Sequence, residues 1–219
     1  MGKRVWIDCG HGGYDSGATG NGRKESDNVL QAGLKLKYKL EALGFTVGMT
    51  RTTDVFVGLN ERCTMANNWG ADVFISIHNN SADDPQAHGL ETYALAEQYN
   101  GLACKVHSAL INSGAHTRDR GVKYSNFRVL KGTVAPACLC ELGFISNSQD
   151  ANLLVSQMDS HVDSMAKGIC DYFGIAFSAN EDTTKYCIKT GWFNGKAMAE
   201  KQAQMLRDTY GWYVDVIPY

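Results

Sequence analysis

The chain is expected to be an α/β protein with a mostly parallel sheet flanked by helices, and three observations predict it. KRVWIDCG, ESDNVLQAGLKLKYKLEALG and FTVGMTR read as strand, helix and strand within about fifty residues, the unit from which parallel sheets are built. ADVFISIHNN is apolar at Val73, Phe74, Ile75 and Ile77 with little alternation, as in a strand covered on both faces. At 219 residues and 44% hydrophobic, the chain can bury one principal domain and leave a small appendage.

The elements follow in order. The first strand stops abruptly at Gly10, and the helix after it carries Val29, Leu30, Leu34, Leu36 and Leu40 at near-helical spacing before Gly44. FTVGMTR, residues 45–51, is the second strand. VGLNERCTMANNWG predicts a helix with Leu59, Cys63 and Ala66 on one stripe, and ADVFISIHNN the third strand. GLETYALA reads as a further strand at an edge, and EQYNGLACKVHSALINSG as a helix. GVKYSNFRVLKGTVAPACLCELGFISN predicts a loop, a short strand near 127–130 and an apolar strand over 135–142. SNSQDANLLVS begins as a turn or cap and continues as a helix, and SHVDSMAKGICDYFGI is the last helix of a domain spanning residues 1–175.

Residues 176–184 lose the periodicity and read as a linker. Residues 185–219 then read strand, helix, strand, a small βαβ appendage. A piece this short lies below the ~40 residues at which unaided folding becomes unlikely. It must dock on the main domain, pair with a copy of itself or continue in a longer parent chain.

Composition narrows the classes. The formal net charge is −2, so the overall basic field that condenses onto nucleic acid is missing, and no nucleic-acid partner is expected. No window approaches 18 consecutive apolar residues, which predicts no membrane span, and the N-terminus enters its strand by Val5 with no apolar signal stretch before it. Synthesis in the cytoplasm without a signal peptide is the expectation. Seven cysteines are an odd number, so at least one is unpaired within a monomer. Cys138 and Cys140 alternate with Ala137 and Leu139 in PACLCEL and read as buried free thiols, in keeping with a reducing compartment.

The chemistry gathers at strand ends. His11, His78 and Glu141 all lie at or just past the C-terminal ends of apolar strands, and in an open parallel sheet those ends line the rim where ligands bind. Glu25 opens the first long helix, and the glycine-rich segment 10–22 can fold back to deliver it to the same rim. Any one of these residues alone would read as a surface or satisfied core side chain. Together His11, Glu25 and His78 form a His₂Glu set, the ligand type of a catalytic Zn²⁺ with an open fourth position. Glu141 is then the carboxylate free to move a proton between water and a leaving amine. A phosphate cradle fits less well, because GHGGYDSGATGNG contains neither GxxxxGK[ST] nor a GxGxxG set directly before a helix.

Five blocks occur in order over about four-fifths of the chain: IDCGHGGYDSGATGNGRKES, TRTTDVFVGLNERCTMAN, ADVFISIHNN, GLETYAL and APACLCELGFISN. In these the sequence resembles the zinc-dependent N-acetylmuramoyl-L-alanine amidases of the amidase_3 family. The resemblance implies zinc held by His11, Glu25 and His78, with Glu141 as catalytic acid/base, on a mostly parallel six-stranded sheet between helices. It implies hydrolysis of the amide joining the lactyl group of N-acetylmuramic acid to L-alanine in peptidoglycan. One departure is the CLC before Glu141, where the family often has larger apolar residues.

Arg62 could hold a carboxylate, support the site from behind or form a structural ion pair, and Asp15 could fix the glycine loop. Glu91 could touch substrate or serve the framework, while His88, His107, His116 and His161 read as structural or solvated. The tail resembles half of a SPOR-type peptidoglycan-binding module, which needs two βα units where one is present. It could bind wall, pack as an extension or pair two chains into a homodimer. Such a chain would be a phage endolysin or a sporulation autolysin, acting on the bacterial cell wall after holin-type release or cell lysis. The alternatives to the amidase are a zinc peptidase cutting within the stem peptide and a wall-binding module without catalysis.

Overall fold

In the computed structural model, residues 2–178 and 196–210 are described. The chain divides into two compact units, residues 1–179 and 180–219. In the first, strands β1 (Arg4–Cys9), β4 (Thr46–Met49), β5 (Val73–Asn80), β6 (Leu90–Ala94), β7 (Asp119–Tyr124) and β8 (Ala137–Phe144) form one six-stranded sheet in the order β4-β1-β5-β8-β6-β7. β1 pairs in parallel with β4 and β5, β5 with β8 and β6 with β7, and the antiparallel pairing is that of β8 with β6. The sheet is therefore mostly parallel, as expected.

Side-chain alternation divides each central strand between two cores. Val5, Ile7, Cys9, Val73, Ile75, Ile77, Cys138, Cys140 and Leu142 point into the larger core, beneath α1 (Glu25–Ala42), α3 (Gly101–Asn112) and α6 (Met158–Phe173). Trp6, Phe74, Ala137 and Leu139 point the other way, beneath α2 (Leu59–Trp69) and α4 (Arg128–Gly132). Cys138 and Cys140 are free thiols buried in the first layer, and their small volume suits a strand packed closely from both sides.

Helix ends follow local chemistry. Gly70 and Gly174 close α2 and α6 in the left-handed conformation that glycine adopts at little cost. The Asn147 side chain accepts hydrogen bonds from the main-chain N–H groups of Gln149 and Asp150 and starts α5 (Ser148–Ser156).

Four expectations are corrected. β6 is not an edge strand, because β7 occupies the edge where a loop was expected. No residue of β7 is buried, so its sequence carries little apolar signal. Residues 127–130 do not form a strand; most of them belong to helix α4, whose adjacent Val129 and Leu130 are both buried. Leu59 leaves the α2 stripe and is 58% exposed, whereas Cys63 and Ala66 are buried as expected. The glycine-rich segment also contains a short hairpin, β2 (Thr19–Gly20) with β3 (Arg23–Lys24).

His107 and His161 are buried framework residues. His107 bridges Thr92 and Asp119, and His161 Nε2 donates to the Ala115 carbonyl at 2.6 Å. In the second unit, helix α7 (Lys196–Tyr210) falls within the stretch read as helical. The strands expected on either side of it, and residues 179–184 of the expected linker, lie outside the described residues. No helix among the described residues is long and apolar enough to cross a membrane.

Two expectations test this packing. A Cβ added to Gly168 on α6 would lie 2.4 Å from Val106 Cα on α3, and backbone cannot yield as a side-chain tip can. Gly168→Ala should therefore cost about 1–3 kcal/mol in urea unfolding; a variant as stable as the parent would show that the two helices are free to separate. The second concerns acid. Burial is the main reason the His161 pKa lies below its ordinary value, with neighbouring His116 adding to it. The unfolded ring binds a proton near pH 6.5 while the folded ring resists it, so this contribution to stability is complete above that pH and is lost as pH falls towards the lower folded value. Stability should drop more steeply between about pH 7.5 and about pH 5.5 in the parent than in His161→Gln; equal slopes would contradict the reading.

Candidate metal centre and proton-transfer site

β1 and β5 lie side by side, so their C-terminal ends bring His11 and His78 together, with ring centroids 5.1 Å apart. Past Cys9 the chain must turn at once. His11 has φ +57°, and Gly12 and Gly13 follow at +125° and +62°, so three successive residues occupy backbone space that glycine tolerates and histidine seldom adopts. Gly12 and Asp15 exchange main-chain hydrogen bonds of 2.7 and 3.2 Å and close the loop. The hairpin β2–β3 then returns the chain, so that Glu25 enters at the start of α1.

Glu25 is buried and joins the two histidines. Its Oε1 lies 3.2 Å from His11 Nε2 and 2.9 Å from His78 Nδ1 and accepts from the Asn79 N–H at 3.0 Å, while Oε2 accepts from the Ala18 N–H at 2.9 Å. Burial alone would raise the pKa of this carboxyl, but the hydrogen bonds from His11 and His78 and their charges overcome it and hold it well below the usual carboxylate range. On the far side of the His11 ring, Nδ1 lies 2.9 Å from Asp15 Oδ2. With Nδ1 donating its proton there, Nε2 is the ring nitrogen that faces the cluster, and a cation bound there would take the place of the proton it shares with Glu25.

Donor atoms of His11, Glu25 and His78 all lie within 4.8 Å of one another. Two ring nitrogens and one carboxylate oxygen are the donor chemistry of a zinc site with an open position, and the separations are ones a small cation can span with modest side-chain movement. The residues thus fit the ion.

Glu141 stands on β8 directly across from His78 in the β5–β8 register. Its Oε2 is buried and has no hydrogen-bond partner among the described residues. Burial pushes its pKa up to about 8; the His78 charge opposes this, while Glu25 and Glu91 add to it. Glu91, opposite Glu141 across the antiparallel pairing, is a saturated anion. It accepts from Asn80 Nδ2, Tyr93 Oη, Arg120 Nε and Lys123 Nζ, which makes it a framework residue.

A cavity of about 480 Å³ opens beside these groups, lined by His11, Asp15, His78 and Glu141 and by an apolar wall that includes Phe56, Leu59, Phe127 and Leu139. A cavity of about 570 Å³ at the beginning of β8 contains none of them.

Arg62 is buried and held by four hydrogen bonds. It forms a buried ion pair with Asp8 at 2.9 Å and donates to the carbonyls of Val57, Cys9 and His11. Arg51, which the sequence reading did not single out, donates to the carbonyls of Cys9, Gly10, Ser26 and Thr53. The available signal was a cation immediately after β4, the parallel neighbour of β1, a register that brings it to the same rim.

A family model for N-acetylmuramoyl-L-alanine amidases (Amidase_3) matches residues 5–171. The chain belongs to this amidase family. It is 38% identical over 207 residues to the sporulation-specific N-acetylmuramoyl-L-alanine amidase of Bacillus subtilis (strain 168), covering 91% of this chain and 79% of that one. It is 35% identical over 210 residues to the N-acetylmuramoyl-L-alanine amidase CwlM of Bacillus licheniformis, with the same coverage of 91% and 79%. Among solved amidases, the catalytic domain of CwlV from Bacillus (Paenibacillus) polymyxa var. colistinus superposes with a TM-score of 0.75 at 35% identity, over 80% of this chain and 99% of that one.

The cluster makes a steric expectation for this family member. A Cβ on Gly10 would lie 2.3 Å from His78 Cε1, although the backbone there is not in the left-handed region. Gly10→Ala should displace the imidazole and weaken Zn²⁺ binding roughly 10- to 100-fold in an equilibrium titration, with little change in thermal midpoint. Unaltered affinity would mean that the His78 ring is not a donor.

Proposed function

We propose that the chain hydrolyses the amide between the lactyl group of N-acetylmuramic acid and L-alanine in peptidoglycan, with Zn²⁺ held by His11 Nε2, Glu25 and His78 Nδ1 and with Glu141 as the group that moves protons. One observation carries this: His11 and His78 of the His₂Glu donor cluster line one cavity with Glu141, whose buried Oε2 none of the described residues engages. A cation bound by those donors supplies Lewis acidity, which polarises the amide carbonyl and eases the loss of a proton from water.

The remaining work falls to the chain. Asp15 holds His11 in the tautomer that presents Nε2, and Asn79 and Ala18 orient the Glu25 carboxylate through their N–H groups. Glu141, fixed on an interior strand, takes the proton from the attacking water. It then returns that proton to the nitrogen of L-alanine as the C–N bond breaks, since the amine is a poor leaving group until protonated. The products are a lactyl carboxylate on the glycan and a stem peptide with a free N-terminal L-alanine.

Digestion of purified peptidoglycan with and without a chelator, followed by mass spectrometry, tests both parts. Release of whole stem peptides beginning at L-alanine should stop on chelation and resume with zinc. Shortened stems would identify a peptidase, and no release from several wall types a binding protein. Glu141→Gln should retain zinc and lose roughly 10²- to 10⁴-fold in rate; undiminished turnover would remove Glu141 from the mechanism.

A further inference from the structure

We propose that Arg128 reads the second position of the stem peptide, binding the free α-carboxylate of the glutamate that follows L-alanine. This rests on the amidase reading above and adds a specificity residue to it.

Arg128 lines the same cavity as His11, His78 and Glu141. The cavity's other arginine, Arg62, is buried and commits four of its five N–H donors to Asp8 and three main-chain carbonyls. Arg128 differs. It is exposed, its Nε donates to the Asn60 side-chain oxygen, and its two terminal nitrogens have no partner among the described residues.

The guanidinium is nonetheless held in place. Asn60 on α2 secures one edge, and the guanidinium carbon lies close over Gly132, where an added Cβ would be 3.3 Å away. A cation fixed by its Nε edge leaves the pair of terminal N–H groups as an open fork, the geometry that matches a carboxylate in two parallel hydrogen bonds.

Substrate chemistry supplies the anion. In the stem peptide, glutamate follows L-alanine and continues the chain through its γ-carboxyl, so its α-carboxyl is free, or amidated in some walls. With the scissile amide at Glu141, that group lies one residue further along, within the reach of a cavity of about 480 Å³. Of the basic side chains that line the cavity, Arg62 is tied to Asp8 and main-chain carbonyls and His11 and His78 belong to the donor cluster, so Arg128 is the cation with a fork open to an anion away from that cluster.

The test compares muramyl-L-alanyl-D-glutamate with its D-isoglutamine counterpart, which differ only in that carboxylate. The unsubstituted protein should favour the acid by roughly tenfold or more in kcat/KM. Arg128→Gln should bring the ratio close to one through loss on the acid alone, and Arg128→Lys should keep part of the preference. A ratio near one before substitution, or an equal fall on both substrates, overturns the proposal, the second marking a purely structural arginine. Cleavage of neither substrate overturns the amidase reading. The two failures separate when the same ligands are titrated onto zinc-loaded Glu141→Gln: a preference for the acid that vanishes on adding Arg128→Gln supports Arg128 whatever the turnover, and equal affinities refute it.

Discussion

The site depends on satisfying the carbonyls that β1 exposes as it ends. The chain turns sharply at three residues with positive φ, and the oxygens of Cys9, Gly10 and His11 before and within that turn face arginine side chains, the first two in buried contacts. A buried carbonyl without a donor costs about 1–3 kcal/mol. Arg51 and Arg62 supply those donors from two different segments. Arg62 can remain charged there because Asp8, itself held by Ser76, balances it within a fully buried pair. Removing one member of such a pair typically costs about 3–5 kcal/mol, since it strands the other charge. The histidine turn and the arginines therefore stand or fall together.

A second dependence is electrostatic. Glu25, which is buried, and Glu141, which is half-buried with its Oε2 enclosed, both stand beside His78, yet their environments drive them apart. Glu25 receives hydrogen bonds from two rings and two main-chain N–H groups and stays ionised. Glu141 keeps one oxygen without a donor and faces Glu91, whose charge is already balanced by Arg120 and Lys123. One carboxyl is thereby suited to hold a cation and the other to exchange a proton.

Much of this was legible in the sequence where burial writes a strong pattern. β1, β5 and β8 are central strands covered on both faces, marked by apolar runs, and α1 shows its buried stripe as apolar residues at helical spacing before Gly44. His11, His78 and Glu141 could be placed because parallel strands send their C-terminal ends to one rim, and Glu25 because the glycine-rich segment before α1 can fold back to it. β7 was not legible, since an edge strand without buried residues need not be apolar. Neither was α4, too short for a helical period to emerge around Val129 and Leu130. Arg51 escaped because its role lies in contacts with main-chain atoms, which leave no side-chain partner to look for. Whether Leu59 joined the core depended on α2 beginning at the cavity, which no local pattern records.

The order of strands has a consequence for when the enzyme can come into being. β8 carries Glu141, is the last strand of the sheet to be synthesised, and inserts between β5 and β6 instead of adding at an edge. Until residue 144 has been made, the sheet has a gap at its middle, and His78 has no strand beside it on that side. Glu141 and the strand that flanks His78 thus arrive together, so a chain that stops short of β8 lacks both halves of the proton-transfer side of the site.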